Sequence, residues 1–374
     1  MTVRLEILAH DGTARAGLLH TPHGTIATPA FFPVATQATV KALTIRDLEG
    51  VSAPGLLANA FHLWQRPGHV AVQGLGGLHR FMGWNRPIVT DSGGFQVFSL
   101  ADLADIDEDG VQFRSHLDGS ARHLTPELAI EIQQTLGSDV AMVLDICAAY
   151  PCPSGELRAA AEQTQRWAER SLRVARDEPT DLFGIIQGGV DLGLRSWCAT
   201  ELGQMPFGGF GIGGLSVGEP RSETWPALEA ALGPLPADRT RYLMGVGAPD
   251  DLVEGIARGV DLFDCVLPTR LGRHGSVLTR AGKLNLRSRT LASAAGPLDP
   301  ACDCLACTGF PLAFLHYLAR LGDPLGMRLA SLHNIRFLTR LVEEARGAIL
   351  KGQFAEFRES QLADDRTHHP SDHQ

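Results

Sequence analysis

Eight short, β-rich apolar runs, most of them separated by stretches long enough for a helix, constrain the fold of this chain more than any other feature. They are TPAFFPVAT (28–36), GLLANAFHL (55–63), PIVTDSGGFQ (87–96), VAMVLDIC (140–147), LFGIIQGG (182–189), GFGIGGLSVGE (209–219), RYLMGVG (241–247) and LFDCVLP (262–268). Buried parallel strands read as continuous apolar runs, and helices alternating with them imply βαβ units. TPELAIEIQQTLGS (125–138), ELRAAAEQTQRWAERSLRVAR (156–176) and APDDLVEGIARGV (248–260) carry such helical patterns. An open doubly wound sheet would show the same alternation, but eight units over about 240 residues favour an α/β fold of the (β/α)8 TIM-barrel kind. Residues 1–268 are therefore expected to form the barrel with an N-terminal extension. Residues 269–360 should hold a basic insertion, a cysteine knuckle and closing helices. Within them GSVLTRAGKLNLRSR reads as a hairpin around Ala-Gly, and RLASLHNIRFLTRLVEEARGAILKG (328–352) as helix. The polar tail 361–374 is expected to be disordered.

Asp91, Asp145, Gln187, Gly213–Gly214, Gly245 and Asp264 all fall at the C-terminal ends of expected strands. In a barrel those ends ring the mouth where active sites are built. Any one carboxylate there could cap the next helix; a converging set of acids and amides is harder to read that way. Asp264 also precedes a stretch, Cys265 to Leu298, that contains Arg270, Arg273, Arg280, Lys283, Arg287 and Arg289 and no acidic residue. The net charge of −9 disfavours a polyanion on average, yet a segregated basic stripe is a local anion-binding feature unless it is only an exposed charged face. A carboxylate beside bound phosphates is costly unless it reacts, and attack on a sugar C1′ is one such reaction. Asp145, Gln187 and the Gly213–Gly214 backbone suit the Watson–Crick edge of guanine: a carboxylate accepts from N1–H and N2–H, while an amide or backbone N–H donates to O6. Phe95 offers a stacking face, and Gly93 and Gly94 let the backbone approach a ligand closely.

Cys302, Cys304 and Cys307 in CDCLACTG, with His333 on an expected helix, form the donor set of a closed, structural zinc site, one zinc per chain. Core cysteines with a helical histidine are the alternative reading. An odd total of seven cysteines argues against a disulfide framework and for a reducing cytoplasm. No signal-peptide core and no apolar stretch of about 18 residues is visible, so no membrane association is expected.

The blocks TDSGGFQVFSL (90–100), FRSHLDG (113–119), IEIQQTLGSD (130–139), IIQGG (185–189), GGLSVGE (213–219), YLMGVG (242–247), FDCVLPTR (263–270), GPLDPACDCLAC (296–307) and LHNIRF (332–337) resemble tRNA-guanine transglycosylase of the bacterial type, over about residues 3 to 360. The resemblance implies exchange of the wobble guanine in tRNA with a GUN anticodon for a deazaguanine base, in queuosine biosynthesis, by a ping-pong mechanism. It makes Asp264 the nucleophile on the ribose and Asp91 the proton acceptor. Asp91, Ser92, Gly93, Gly94, Phe95, Asp145, Gln187, Gly214 and Leu215 become the base pocket. Gly245, Val246, Gly247, Ala248, Pro249, Asp250 and Asp251, together with Thr269, Arg270, Leu271, Gly272 and Arg273, correspond to RNA-contacting stretches. Cys302, Cys304, Cys307 and His333 match the family's zinc ligands, and a homodimer is implied.

The chain departs from the bacterial pattern at Asp145-Ile146-Cys147-Ala148, where relatives read Asp-Glu-Cys-Thr, and at ANAFHL in place of Asn-Thr-Tyr-His-Leu. Ile146 is thereby expected beside the pocket. Cys147 and Val217 match members that use 7-aminomethyl-7-deazaguanine, which is the preferred substrate; queuine is the alternative. A barrel glycoside or nucleoside hydrolase would explain Asp91 and Asp264 but not the basic stripe or knuckle. A non-catalytic tRNA-binding subunit would not need all three aspartates.

Overall fold

The computed structural model describes residues 3–96, 105–175 and 180–366. Residues 97–100 of the TDSGGFQVFSL block, Arg176 and residues 367–374 of the tail lie outside these. All eight apolar runs form strands of one closed parallel barrel. An antiparallel sheet precedes it, made of β1 (Arg4–Asp11), β2 (Ala14–Thr21) and β3 (Gly24–Thr28). The barrel begins with β4 (Ala30–Ala35), β5 (Leu56–Asn59) and β6 (Ile88–Asp91). A second antiparallel sheet is inserted here, with β7 (Asp105–Ile106), β8 (Val111–Arg114) and β9 (Ala121–Leu124). The barrel resumes with β10 (Val140–Met142), β11 (Asp181–Ile186), β12 (Gly209–Ile212), β13 (Thr240–Leu243) and β14 (Leu262–Cys265). Phe263 of β14 opposite Phe31 of β4 closes the ring, and Val140 of β10 opposite Val89 of β6 carries it past the inserted sheet. The strands are short and nearly wholly buried, so they carry no polar–apolar alternation.

Helices Pro126–Leu136, Ser154–Val174, Leu192–Gly203, Arg221–Leu232 and Pro249–Ala257 follow β9, β10, β11, β12 and β13. Thr125 caps the first by accepting from the Leu128 N–H, and Pro126 pre-sets its opening turn. The sheet β1–β3 sits across the N-terminal mouth of the barrel, held by aspartates that begin barrel strands. Asp181 accepts from the Val3 N–H, Asp139 from the His23 N–H, and Asp261 from the Arg15 guanidinium at 2.8 and 2.5 Å. Arg15 also donates to the Ala237 and Arg239 carbonyls, so a fully buried ion pair is backed by backbone acceptors.

Beyond β14 come helix Leu267–Arg273, a hairpin of β15 (Ser276–Thr279) and β16 (Gly282–Asn285) turning at Arg280–Ala281, the cysteine knuckle, and helix Pro324–Lys351. The long helix organises this region. Its buried Asn334 accepts from the Leu278 N–H at 2.8 Å and donates to the Pro268 and Ser276 carbonyls. The last helix, Phe354–Arg366, extends into the tail that composition alone suggested to be disordered; its start is tied to the body by the Phe354 N–H on Asp11. Among the described residues no helix is long and apolar enough to cross a membrane.

Replacing Arg15 by Met strands the Asp261 carboxylate in the core, and the expected cost is about 3–5 kcal/mol. Urea unfolding should show it as a lower midpoint, while the C-terminal mouth of the barrel is untouched.

Candidate active site

A cavity of about 440 Å³ opens at the C-terminal mouth and is lined by Asp91, Ser92, Phe95, Asp145, Gln187, Gly214, Leu215, Gly245 and Asp264, among others. The strand ends thus bring together residues distant in the chain, Asp91 and Asp264 being 173 positions apart. Volume and lining suit a small heterocycle.

Asp264, the third residue of β14, is buried. Its Oδ1 accepts from the Tyr242 hydroxyl at 2.6 Å and from the Gly245 N–H at 2.8 Å. Among the described residues both bonds fall on the same oxygen, which leaves Oδ2 as the available nucleophilic or basic atom. Burial raises its pKa above the usual carboxylate range, against those two donors.

Asp91 ends β6. Its Oδ1 accepts from the Ala60 N–H at 3.0 Å, and its Oδ2 from Gln96 Nε2 at 2.7 Å and from Asn59 Nδ2. Burial, with the nearby Asp264 charge adding to it, pushes its pKa up to about 7 despite three donors. Ala60 contributes only its backbone, so the departure at Asn59-Ala60-Phe61 leaves the carboxylate held. Asp145 lies three residues past β10, where burial pushes it up to about 6 against hydrogen bonds from Gln187 Nε2 at 2.7 Å and Ser92 Oγ at 3.2 Å. Three buried acids lining one cavity cannot all be ionised cheaply, and burial lifts two of them toward neutrality.

The glycines of the pocket divide by role. Gly214, at φ +62°, brings its backbone against Gln187: a Cβ there would lie 2.5 Å from Oε1. Gly94 is pressed on Asp145, where a Cβ would come within 2.8 Å of the carbonyl oxygen. Gly93 faces Phe61 and does not line the cavity. Phe95 is half exposed at the rim, placed for stacking. Ile146 is buried in the core behind β10 and is absent from the cavity wall, while Cys147 and Val217 belong to it. The expected influence of Ile146 on the pocket is therefore corrected: its side chain points the other way.

The two stretches expected to meet RNA are less uniform than the sequence suggests. Gly245 lines the main cavity, and Ala248, Pro249 and Asp250 line a neighbouring groove of about 220 Å³ with Arg221, Arg280 and Lys283. Arg221 pairs with Asp251 at 2.9 Å and lies 3.8 Å from Asp250. Arg270 is exposed and Arg273 partly so. Val246, Gly247, Thr269 and Gly272 are buried, and Leu271 is partly so; Gly272 abuts Ser331 of the long helix. Arg280 is neutralised by Glu344 at 2.5 Å, which removes it from the stripe as a free charge.

Cys302, Cys304, Cys307 and His333 are buried, with their ligand atoms all within 4.8 Å of one another. The His333 Nδ1 stands 3.3 Å from Cys307 Sγ and 3.8 Å from Cys304 Sγ, close to the edge of about 3.6 Å that tetrahedral zinc–sulfur and zinc–nitrogen bonds imply. Its Nε2–H donates to the Leu278 carbonyl at 2.8 Å, which turns the Nδ1 lone pair toward the thiols. The set fits a metal ion. A second group, His23, His79 and Asp139, lies at the opposite mouth.

Reasoning from sequence missed Asn59, Gln96 and Tyr242, the residues whose side chains hold Asp91 and Asp264. Tyr242 carried a signal: a tyrosine inside a buried strand needs an acceptor for its hydroxyl.

A family model described as Queuine tRNA-ribosyltransferase matches residues 11–367. A Queuine tRNA-ribosyltransferase of Desulforudis audaxviator (strain MP104C) is 52% identical over 367 residues, covering 97% of this chain and 98% of that protein. One from Symbiobacterium thermophilum is 51% identical over 365 residues, 97% and 91% of the two chains, and one from Moorella thermoacetica 52% over 356 residues, 95% of each. Barrel, knuckle and near-full-length identity agree, and the chain belongs to the queuine tRNA-ribosyltransferase family.

Proposed function

We propose that this chain is a transferase acting on tRNA: it replaces the wobble guanine of GUN-anticodon tRNAs with a 7-deazaguanine through a covalent Asp264–ribose intermediate. One observation carries the reading. Asp264 has one carboxylate oxygen clamped by two donors and the other available, in the same cavity as Asp91, whose pKa burial lifts to about 7, and the trio Asp145, Gln187 and Gly214. The exposed Arg270 and Lys283 take the anticodon backbone by phosphate contacts, which position without specifying, and the target guanine turns out of its stack into the cavity. Asp264 Oδ2 attacks C1′ and the C1′–N9 electron pair leaves with guanine. The incoming base then gives a proton to Asp91, and its nitrogen attacks C1′ to release the carboxylate. One glycosidic bond replaces another, so no energy source is consumed.

The walls formed by Cys147 and Val217 support a small 7-substituent, 7-aminomethyl-7-deazaguanine over queuine. The knuckle residues hold one structural zinc, and the whole acts as a homodimer in the cytoplasm. Leu305, Tyr317 and Leu321 supply exposed apolar surface for a second copy.

The direct test is incorporation of radiolabelled guanine into a GUN-anticodon tRNA. Wild type should label it, and Asp264→Asn should fall by at least about 10⁴-fold; no incorporation by folded, zinc-loaded wild type would overturn the reading. Aminomethyl-deazaguanine should compete better than queuine.

The pH dependence has opposite signs for rate and stability. As pH rises through about 7, Asp91 becomes the base and incorporation increases. A carboxyl whose folded pKa is raised contributes stability that is complete below its unfolded value and lost as pH rises through about 7. The melting temperature should therefore decline across that window, and decline less in Asp91→Asn.

Elemental analysis should find one zinc per chain, absent in Cys304→Ser. Its loss should lower the melting temperature and loosen helix Leu267–Arg273 through Leu278 and Asn334, read by amide exchange.

A further inference from the structure

Arg195, on helix Leu192–Gly203, is wholly buried beside the base pocket. Its Nε donates to the Gly189 carbonyl at 2.7 Å, Nη1 to Ile186 at 2.9 Å and Gly213 at 2.7 Å, and Nη2 to Gly214 at 3.1 Å. Every acceptor is a backbone carbonyl at or just beyond the C-terminal ends of β11 and β12. The contrast with Arg15 is informative, because that buried cation is cancelled by Asp261 at 2.5 Å. Among the described residues no carboxylate lies within ion-pair distance of Arg195. An uncancelled buried cation is expensive to keep, and neutral hydrogen-bonding side chains would hold these loops at lower cost.

The Gly213 carbonyl and the Gly214 N–H are the two ends of one planar peptide. A cation on the oxygen draws electrons through that peptide and makes the N–H a stronger donor, the cooperative effect of linked hydrogen bonds. Gly214 lines the cavity and its N–H is hydrogen-bonded to the wall residue Cys147, so a bound base would take this donor in place of the thiol.

We propose that Arg195 is a positioning residue for base departure: its cation polarises the Gly213–Gly214 peptide, so that the Gly214 N–H stabilises the charge arriving on O6 of the leaving guanine. The inference rests on the guanine-pocket reading above. In the step concerned the C1′–N9 bond breaks and its electron pair spreads over the purine to O6, while Asp264 forms the new bond to C1′. The guanidinium keeps its protons throughout, and the Gly214 N–H donor is in place before the charge appears.

The test varies the charge on the leaving base. Anticodon stem-loops carrying guanine or 7-methylguanine at the wobble position are compared in single-turnover base release; 7-methylguanine departs neutral and needs no anion stabilisation. Arg195→Gln, with its melting temperature checked, should slow guanine release by roughly 30-fold and 7-methylguanine release by less than about 3-fold, with little change in RNA affinity. Equal slowing of both bases, or slowing of neither, would assign Arg195 a structural role and overturn the inference. Release of neither base by wild type would instead remove the guanine-pocket reading, and this inference with it.

If the glutamine variant does not fold, Arg195→Lys carries the test. A buried lysine loses its proton more readily than arginine, so its ratio of 7-methylguanine to guanine release should climb with pH relative to the wild-type curve. The titratable groups facing the position are Cys198 on the same helix, Cys147 after β10 and Glu219 after β12; they are present in wild type too, so reading the ratio against the wild-type curve removes their contribution. A ratio that tracks wild type would overturn the proposal.

Discussion

Closure of the parallel sheet is the constraint on which the rest of this structure depends. The β6–β10 pairing spans an insertion of about fifty residues that holds a separate three-stranded sheet, and the β14–β4 pairing joins the two ends of the barrel sequence. Once both are made, every strand must point its C-terminal end toward the same mouth. Asp91, Asp145, Gln187, Gly214 and Asp264 become neighbours without any one of them being close in sequence to the next.

The same closure divides the buried carboxylates into two populations. Asp139, Asp181 and Asp261 begin their strands and are matched by donors from the N-terminal sheet, which makes them structural latches. Asp91, Asp145 and Asp264 lie at the far ends, where only neutral donors reach them and burial lifts their pKa values. Burial lifts Asp261 as well, and what sets it apart is the cation beside it: Arg15 pairs with it at 2.5 Å, while only neutral donors reach the three acids at the far mouth. Arg15 meets a carboxylate; Arg195 meets carbonyls.

The region after the barrel is organised by a single helix turn. His333 offers one nitrogen to the cysteine knuckle and the other to Leu278, and the adjacent Asn334 ties Leu278, Ser276 and Pro268 together. The segment that carries Arg270 and Arg273 is thus mounted on the Cys–His cluster, a physical link between a structural element and the surface expected to receive RNA.

The amino-acid sequence by itself determined the eight buried strands, the acids and glycines at their ends, and the Cys–His donor set, because continuous apolar runs, punctuation and ligand spacing are local signals. It was silent on the supports of the cavity carboxylates. Asn59, Gln96 and Tyr242 look like ordinary strand and loop residues until the barrel brings Asn59 and Gln96 to Asp91 and Tyr242 to Asp264. It misplaced Ile146, since the facing of a residue just past a three-residue strand depends on backbone that no periodicity reports. It also counted Arg280 as a free charge, although Glu344, 64 positions away, cancels it. Which carboxylates are latches, which line the cavity and which cations lack an acidic partner were decided only by tertiary structure, because burial and pairing are properties of neighbours that a linear chain does not contain.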